Sequence, residues 1–72
     1  MKLPTKLSDK ASIFPETGYG ASTVTLLLQD GRKIRNVILA WGSEIIKIDG
    51  ILIEEIENLG FEIRDIADVL PE

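Results

Sequence analysis

The stretch from Thr23 to Gly50 constrains the fold more than any other part of the chain. It alternates apolar runs with turn signals: a strand-like run, Asp30-Gly31, a second run, a Gly42-Ser43 break, a third run, and a closing Asp49-Gly50. In 23–29, Val24, Leu26 and Leu28 share one face by the two-residue period of a strand, and Thr23, Thr25 and Leu27 share the other. Val and Thr favour strands. Asp-Gly accepts the positive φ angles of a tight hairpin turn. The pattern predicts an all-β meander.

The second strand carries a phase slip. Ile34 falls in one phase, while Val37, Leu39 and Trp41 fall in the other, and a regular strand cannot place all four on one face. A bulge near Arg35-Asn36 absorbs the extra residue and bends the strand. Bent second strands close small barrels, so the expectation is a small five-stranded barrel or a strongly bent meander. After the Gly42-Ser43 break, Ile46 and Ile48 alternate with Ile45 and Lys47. Residues 51–57 fit a strand with Ile51 and Ile53 inward, or a short helix with Leu52, Ile56 and Leu59 in one stripe and Gly60 as its stop. The preceding Asp-Gly turn and the β-branched residues favour the strand. Residues 61–66 fit a single helical turn, and 67–70 a last strand before Pro71.

Residues 1–20 differ from the rest. They hold Pro4 and Pro15 with Ser8, Ser12, Gly18 and Gly20, and no period persists. The reading is an irregular N-terminal arm over 1–20, with a short turn near Ser8-Asp9-Lys10, followed by a barrel domain over 21–72. Ile13 and Phe14 are expected to cover part of the core; the alternative is that they clip onto a second subunit. Gly18-Tyr19-Gly20 reads as a hinge with Tyr19 folded back, since neither a strand before it nor a helix after it completes a phosphate-binding loop.

At 72 residues the chain is one domain with a small core. It has no Cys and no His, which removes disulfides, thiolate metal sites, Ser–His pairs and a structural zinc site. Ser43 reads as a turn serine. Glu54, Glu55, Glu57 and Glu62 read as a solvated acidic face rather than a general acid–base pair. Asp49-Gly50 lacks the preceding oxygen ligands of a calcium loop. The sequence therefore predicts a non-enzymatic protein without cofactor or metal. The N-terminus lacks the apolar run of a signal peptide and no segment spans a membrane, so a cytoplasmic location is expected.

Some faces are too apolar for a simple two-sided sheet. If Val24, Leu26 and Leu28 fill the core, then Leu27, Ile38 and Ile45 face outward, and with Trp41 they form the candidate interaction surface. A protein partner or a second copy of the chain is the expected occupant. Arg32, Lys33 and Arg35 cluster at the first hairpin and form a candidate contact for nucleic acid or an acidic partner. The net charge of −4 opposes nonspecific nucleic-acid binding. That charge is unevenly divided. Residues 1–47 carry +3 and residues 48–72 carry −7, which leaves room for head-to-tail self-association.

The segment Val24-x-Leu26-x-Leu28-x-Asp30-Gly31-Arg32, followed by Val37 to Trp41, resembles the first motif of Sm-like proteins and other SH3-like small barrels. The resemblance implies a bent meander of about five strands, assembly through strand edges, and RNA contact. It covers the middle third of the chain. This chain has Asn36 where the motif has Gly and Trp41-Gly42 where it has an aromatic-Asp pair, and the base-holding Asn has no counterpart. The resemblance is carried to the architecture and not to an RNA site.

Overall fold

The computed structural model describes residues 1–16 and 18–72. One helix, α1 (Thr5–Ala11), precedes five strands: β1 (Ala21–Leu28), β2 (Lys33–Ala40), β3 (Glu44–Ile48), β4 (Ile51–Leu52) and β5 (Ile66–Pro71). Short 3-10 turns at Ile53–Glu55 and Ile63–Asp65 link β4 to β5. The strands form one antiparallel sheet in the order β4-β3-β2-β1-β5. The all-β expectation is met.

Three register shifts bend the sheet. Between the Val24–Val37 and Leu26–Ile34 pairs, β2 holds one residue more than β1, which places a bulge at Arg35-Asn36 as the phase slip required. Asn36 sits there at φ 56°. A second extra residue, Ile46, lies between the Ile38–Lys47 and Leu39–Ile45 pairs, and a third, Ala67, between the Leu27–Asp68 and Leu28–Ile66 pairs. Each bulge resets which side chains face inward.

The sheet stays open, contrary to the expectation of a closed barrel. β4 is two residues long and turns at once into the 3-10 segment, while β5 pairs with β1 alone. Instead, residues 1–3 take up the remaining edge of β3. The Leu3 N–H donates to the Ser43 carbonyl at 2.8 Å, and the Ile45 N–H donates to the Met1 carbonyl at 2.8 Å. The terminal ammonium also pairs with the Glu44 carboxylate.

The expected irregular arm is partly helical. Leu3, Leu7 and Ala11 are four residues apart, one stripe of a helix. Leu3 and Ala11 are buried, and Leu7 packs against the same core. A seven-residue helix is too short to hold by propensity, so this packing holds it. Phe14 also packs on the core, whereas Ile13 is 82 % exposed and covers nothing. The segment thus closes over its own domain. The remaining core is Val24, Leu26 and Leu28 of β1, Val37 and Leu39 of β2, Ile45 of β3, and Phe61, Ile66 and Val69.

Ile45 is a correction: it was expected to face outward, and it is fully buried. The Ile46 bulge is the reason. Without it Ile45 would share the outward phase of Lys47; with it Ile45 pairs with Leu39 and turns inward.

The turns also differ from one another. At Asp49-Gly50 both residues have positive φ, 53° and 83°, as a two-residue hairpin demands. At Asp30-Gly31 only Gly31 does, at 92°. There the Gly31 N–H donates to the Leu28 carbonyl and the Leu28 N–H to the Arg32 carbonyl, so the loop is one residue longer than expected.

Candidate interaction surface

The most exposed apolar side chains gather at one end of the molecule. Residues 40–43 make a tight turn in which the Ser43 N–H donates to the Ala40 carbonyl at 3.2 Å. Its central residues, Trp41 and Gly42, have φ 56° and 74°. This geometry suits Asn or Gly at the first central position. A tryptophan there carries backbone strain of about 1–2 kcal/mol. Even so, Trp41 is 79 % exposed.

Two neighbouring segments complete this end. Gly18 and Ala21 exchange backbone hydrogen bonds of 3.3 and 3.2 Å, which throws Tyr19 to the corner of a turn. Gly20 there has φ 67°, and its carbonyl accepts the Trp41 N–H at 2.6 Å. The Trp41 indole packs against Gly20: a Cβ at that position would lie 2.5 Å from ring carbon Cζ3. On the other side, Gly42 approaches the backbone of Ser12, just past α1. Ile13 follows. The Glu16 carboxylate borders the patch and accepts the Gly20 N–H at 3.3 Å. Ile13, Tyr19 and Trp41 therefore form an exposed tip. Tyr19 does not fold back; it is fully exposed.

The expected surface residues are dispersed. Leu27 and Ile38 lie on the sheet face opposite the core, each half-buried. Leu27 is flanked across the strands by Lys33 and Asp68, and Ile38 by Thr23 and Lys47. The aliphatic stems of lysines shield such neighbours while the ammonium groups stay in water. Ile45 is in the core. Trp41 follows the C-terminal end of β2, and Arg32 precedes its N-terminal end. The length of an eight-residue strand, about 25 Å, separates them.

Arg32 is committed within the chain. Its Nε donates to Asp30 Oδ2 at 2.7 Å, and its Nη2 donates to the Gly60 carbonyl at 3.0 Å. The Arg32 backbone N–H and guanidinium hold the Asp30 carboxyl below the usual aspartate range. Lys33 and Arg35 are exposed. Their side chains make no hydrogen bond or ion pair among the described residues. The same holds for Lys47, a third cation that the sequence reading missed. Only the β2–β3 register, which places Lys47 opposite Ile38, brings it to the face of Lys33 and Arg35.

The carboxylates of that outer face are all held. Lys10 donates to Asp68 at 2.7 Å, and this bond, with the Val69 N–H, pushes the Asp68 carboxyl down. One oxygen of Glu72 accepts the Thr25 hydroxyl at 3.1 Å and the Asn36 N–H at 2.8 Å. Glu44 is held by the terminal ammonium.

The described residues enclose no pocket, and among them no three His, Cys, Asp or Glu side chains converge as metal ligands. No helix is long and apolar enough to cross a membrane. Comparison with protein-family models, with curated proteins and with solved structures finds no match for the chain.

Proposed function

We propose that this protein is a non-enzymatic interaction module that docks a protein partner through the tip formed by Ile13, Tyr19 and Trp41. The observation that carries this reading is Trp41 itself: a large aromatic residue, 79 % exposed, on a strained left-handed backbone. Strain of this kind persists only where the surrounding structure holds it, and it clusters at functional sites. Exposed Trp and Tyr are the side chains that most often anchor protein interfaces. The ring of Trp41 braced on Gly20 is pre-positioned for contact, which lowers the ordering cost of binding. The module is read as an SH3-like small β fold, supported by the five-strand meander and the bulged second strand.

The test is Trp41→Asn. Asn suits this turn conformation, so the fold is expected to survive and partner binding to be lost. Unchanged retention of partners by the folded variant would refute the reading.

A nucleic-acid reading through Arg32, Lys33, Arg35 and Trp41 has one observation in its favour: Lys33 and Arg35 carry unpaired charge. Against it, Arg32 is engaged by Asp30 and Gly60, and Trp41 lies at the far end of the strand.

A further inference from the structure

The outer face of the sheet is positive in a chain whose net charge is −4. Lys33 and Arg35 stand on β2 and Lys47 on the adjacent β3, without ion pairs among the described residues. Of the carboxylates of this face, Asp68 is paired with Lys10 and Glu44 with the terminal ammonium, which leaves the single charge of Glu72, held by the Thr25 hydroxyl and the Asn36 N–H, against the three cations. Half-buried Leu27 and Ile38 lie among the cations.

At the β4 border the sign reverses. Glu54, Glu55 and Glu57 are exposed, and none has an ion pair among the described residues. Ile51 and Leu52 just before them are 49 % and 37 % exposed. Leu52 pairs with Lys47, so the positive face and the acidic turn are contiguous. Within one chain the acidic turn follows directly on the strand that borders the cations. A patch with cations on one half and carboxylates on the other is complementary to a copy of itself turned by a two-fold rotation.

The geometry points to a two-fold homodimer in which the 54–57 turn of each chain lies over Lys33, Arg35 and Lys47 of the other. Because the interface is isologous, every cation–carboxylate contact occurs twice. Ile38 and Leu52 flank Lys47 across the strands and Leu27 flanks Lys33, so apolar contacts are interspersed with the charged ones. A nucleic acid fits this face less well, since its phosphates would meet the acidic border. This dimer uses a face distinct from the Trp41 tip, so either proposal can fail without the other.

The experiment is sedimentation equilibrium of the full chain across protein concentration and salt. Rim charge pairs are screened within a Debye length. The dimer dissociation constant is expected to rise at least about tenfold between about 20 mM and about 500 mM salt. The variants Lys33→Glu/Arg35→Glu/Lys47→Glu and Glu54→Lys/Glu55→Lys/Glu57→Lys should each be monomeric with unchanged circular dichroism. Mixed one to one, they should form a heterodimer. If either triple variant fails to fold, Lys47→Glu and Glu55→Lys serve in the same mixing design. A monomeric wild type at low salt would overturn the proposal. So would reversal variants that dimerise like the wild type, or a mixture that associates no better than its parts. Dimerisation abolished by Trp41→Asn and indifferent to charge reversal would move self-association to the tip and also overturn it. Binding of single-stranded RNA by a wild type that does not dimerise would overturn it in favour of nucleic acid.

Discussion

The indole of Trp41 occupies the space that a side chain on Gly20 would need, with a Cβ there falling 2.5 Å from the ring. Gly20 is also at φ 67°, a conformation that costs other residues energy. Gly20→Ala should therefore destabilise the fold by about 1–3 kcal/mol, from backbone strain and displacement of the ring. Urea unfolding measures the loss, and a shift in tryptophan emission reports the displaced indole. Because the chain has a single Trp, that emission is specific to the tip.

Trp41→Asn separates stability from contact. Relief of left-handed strain and loss of the packing on Gly20 oppose each other at similar size. The net change in stability should stay within about 1 kcal/mol. A large loss in a denaturant melt would assign Trp41 a mainly structural role.

Burial ranks the outward-facing candidates. Ile45 is fully buried, and Ile45→Ala should cost about 2–5 kcal/mol. Leu27 is half-buried, and Leu27→Ala should cost no more than about half as much. Thermal or denaturant melts of the two variants check the order.

Glu72 ties the β2 bulge to β1 and β5. Its one oxygen accepts from both Thr25 and Asn36, and Asn36 also donates its side-chain amide to Asp49 at 3.3 Å. Glu72→Ala should cost about 1–2 kcal/mol. A double-mutant cycle with Thr25→Val should give a coupling of about 0.5–1.5 kcal/mol. Zero coupling would show that the hydroxyl bond contributes nothing in solution.

The Lys10–Asp68 pair gives a pH dependence. The folded-state pKa of Asp68 is depressed, so its stabilisation is present above the unfolded pKa, near 4, and is lost as pH falls through the lower folded value. Both side chains are over one-third exposed, and solvent screening holds the effect below about 1 kcal/mol. Between pH 5 and pH 2, taken as about the window of these pKa values, the wild type should lose slightly more stability than Asp68→Asn. Equal losses would show that the pair is solvated.

The parts of the fold carried by local periodicity were legible in the sequence. The even face of β1 and the Arg35-Asn36 bulge follow from residue spacing alone. The Ile46 bulge was not legible, because a run of isoleucines reads equally well in either phase. That ambiguity put Ile45 on the wrong face. The helix was obscured by Pro4 and the serines, although the four-residue spacing of Leu3, Leu7 and Ala11 was its signal. Trp41 was identified as a candidate. Tyr19 was not, and Ile13 was offered only as the alternative contact for a second subunit, because only the folded chain brings residues 13, 19 and 41 to one end. The pairing of Met1–Leu3 along the start of β3 was not legible either, because it joins residues 43 apart with no local signal.

The most direct test of the interaction reading compares immobilised wild type with Trp41→Asn. Any protein that the wild type selectively retains is purified and titrated by calorimetry against both. The account predicts binding to the wild type, weakened at least about tenfold by the substitution while the fold is unchanged. Equal affinity for the two, or no protein retained by the wild type, would contradict it.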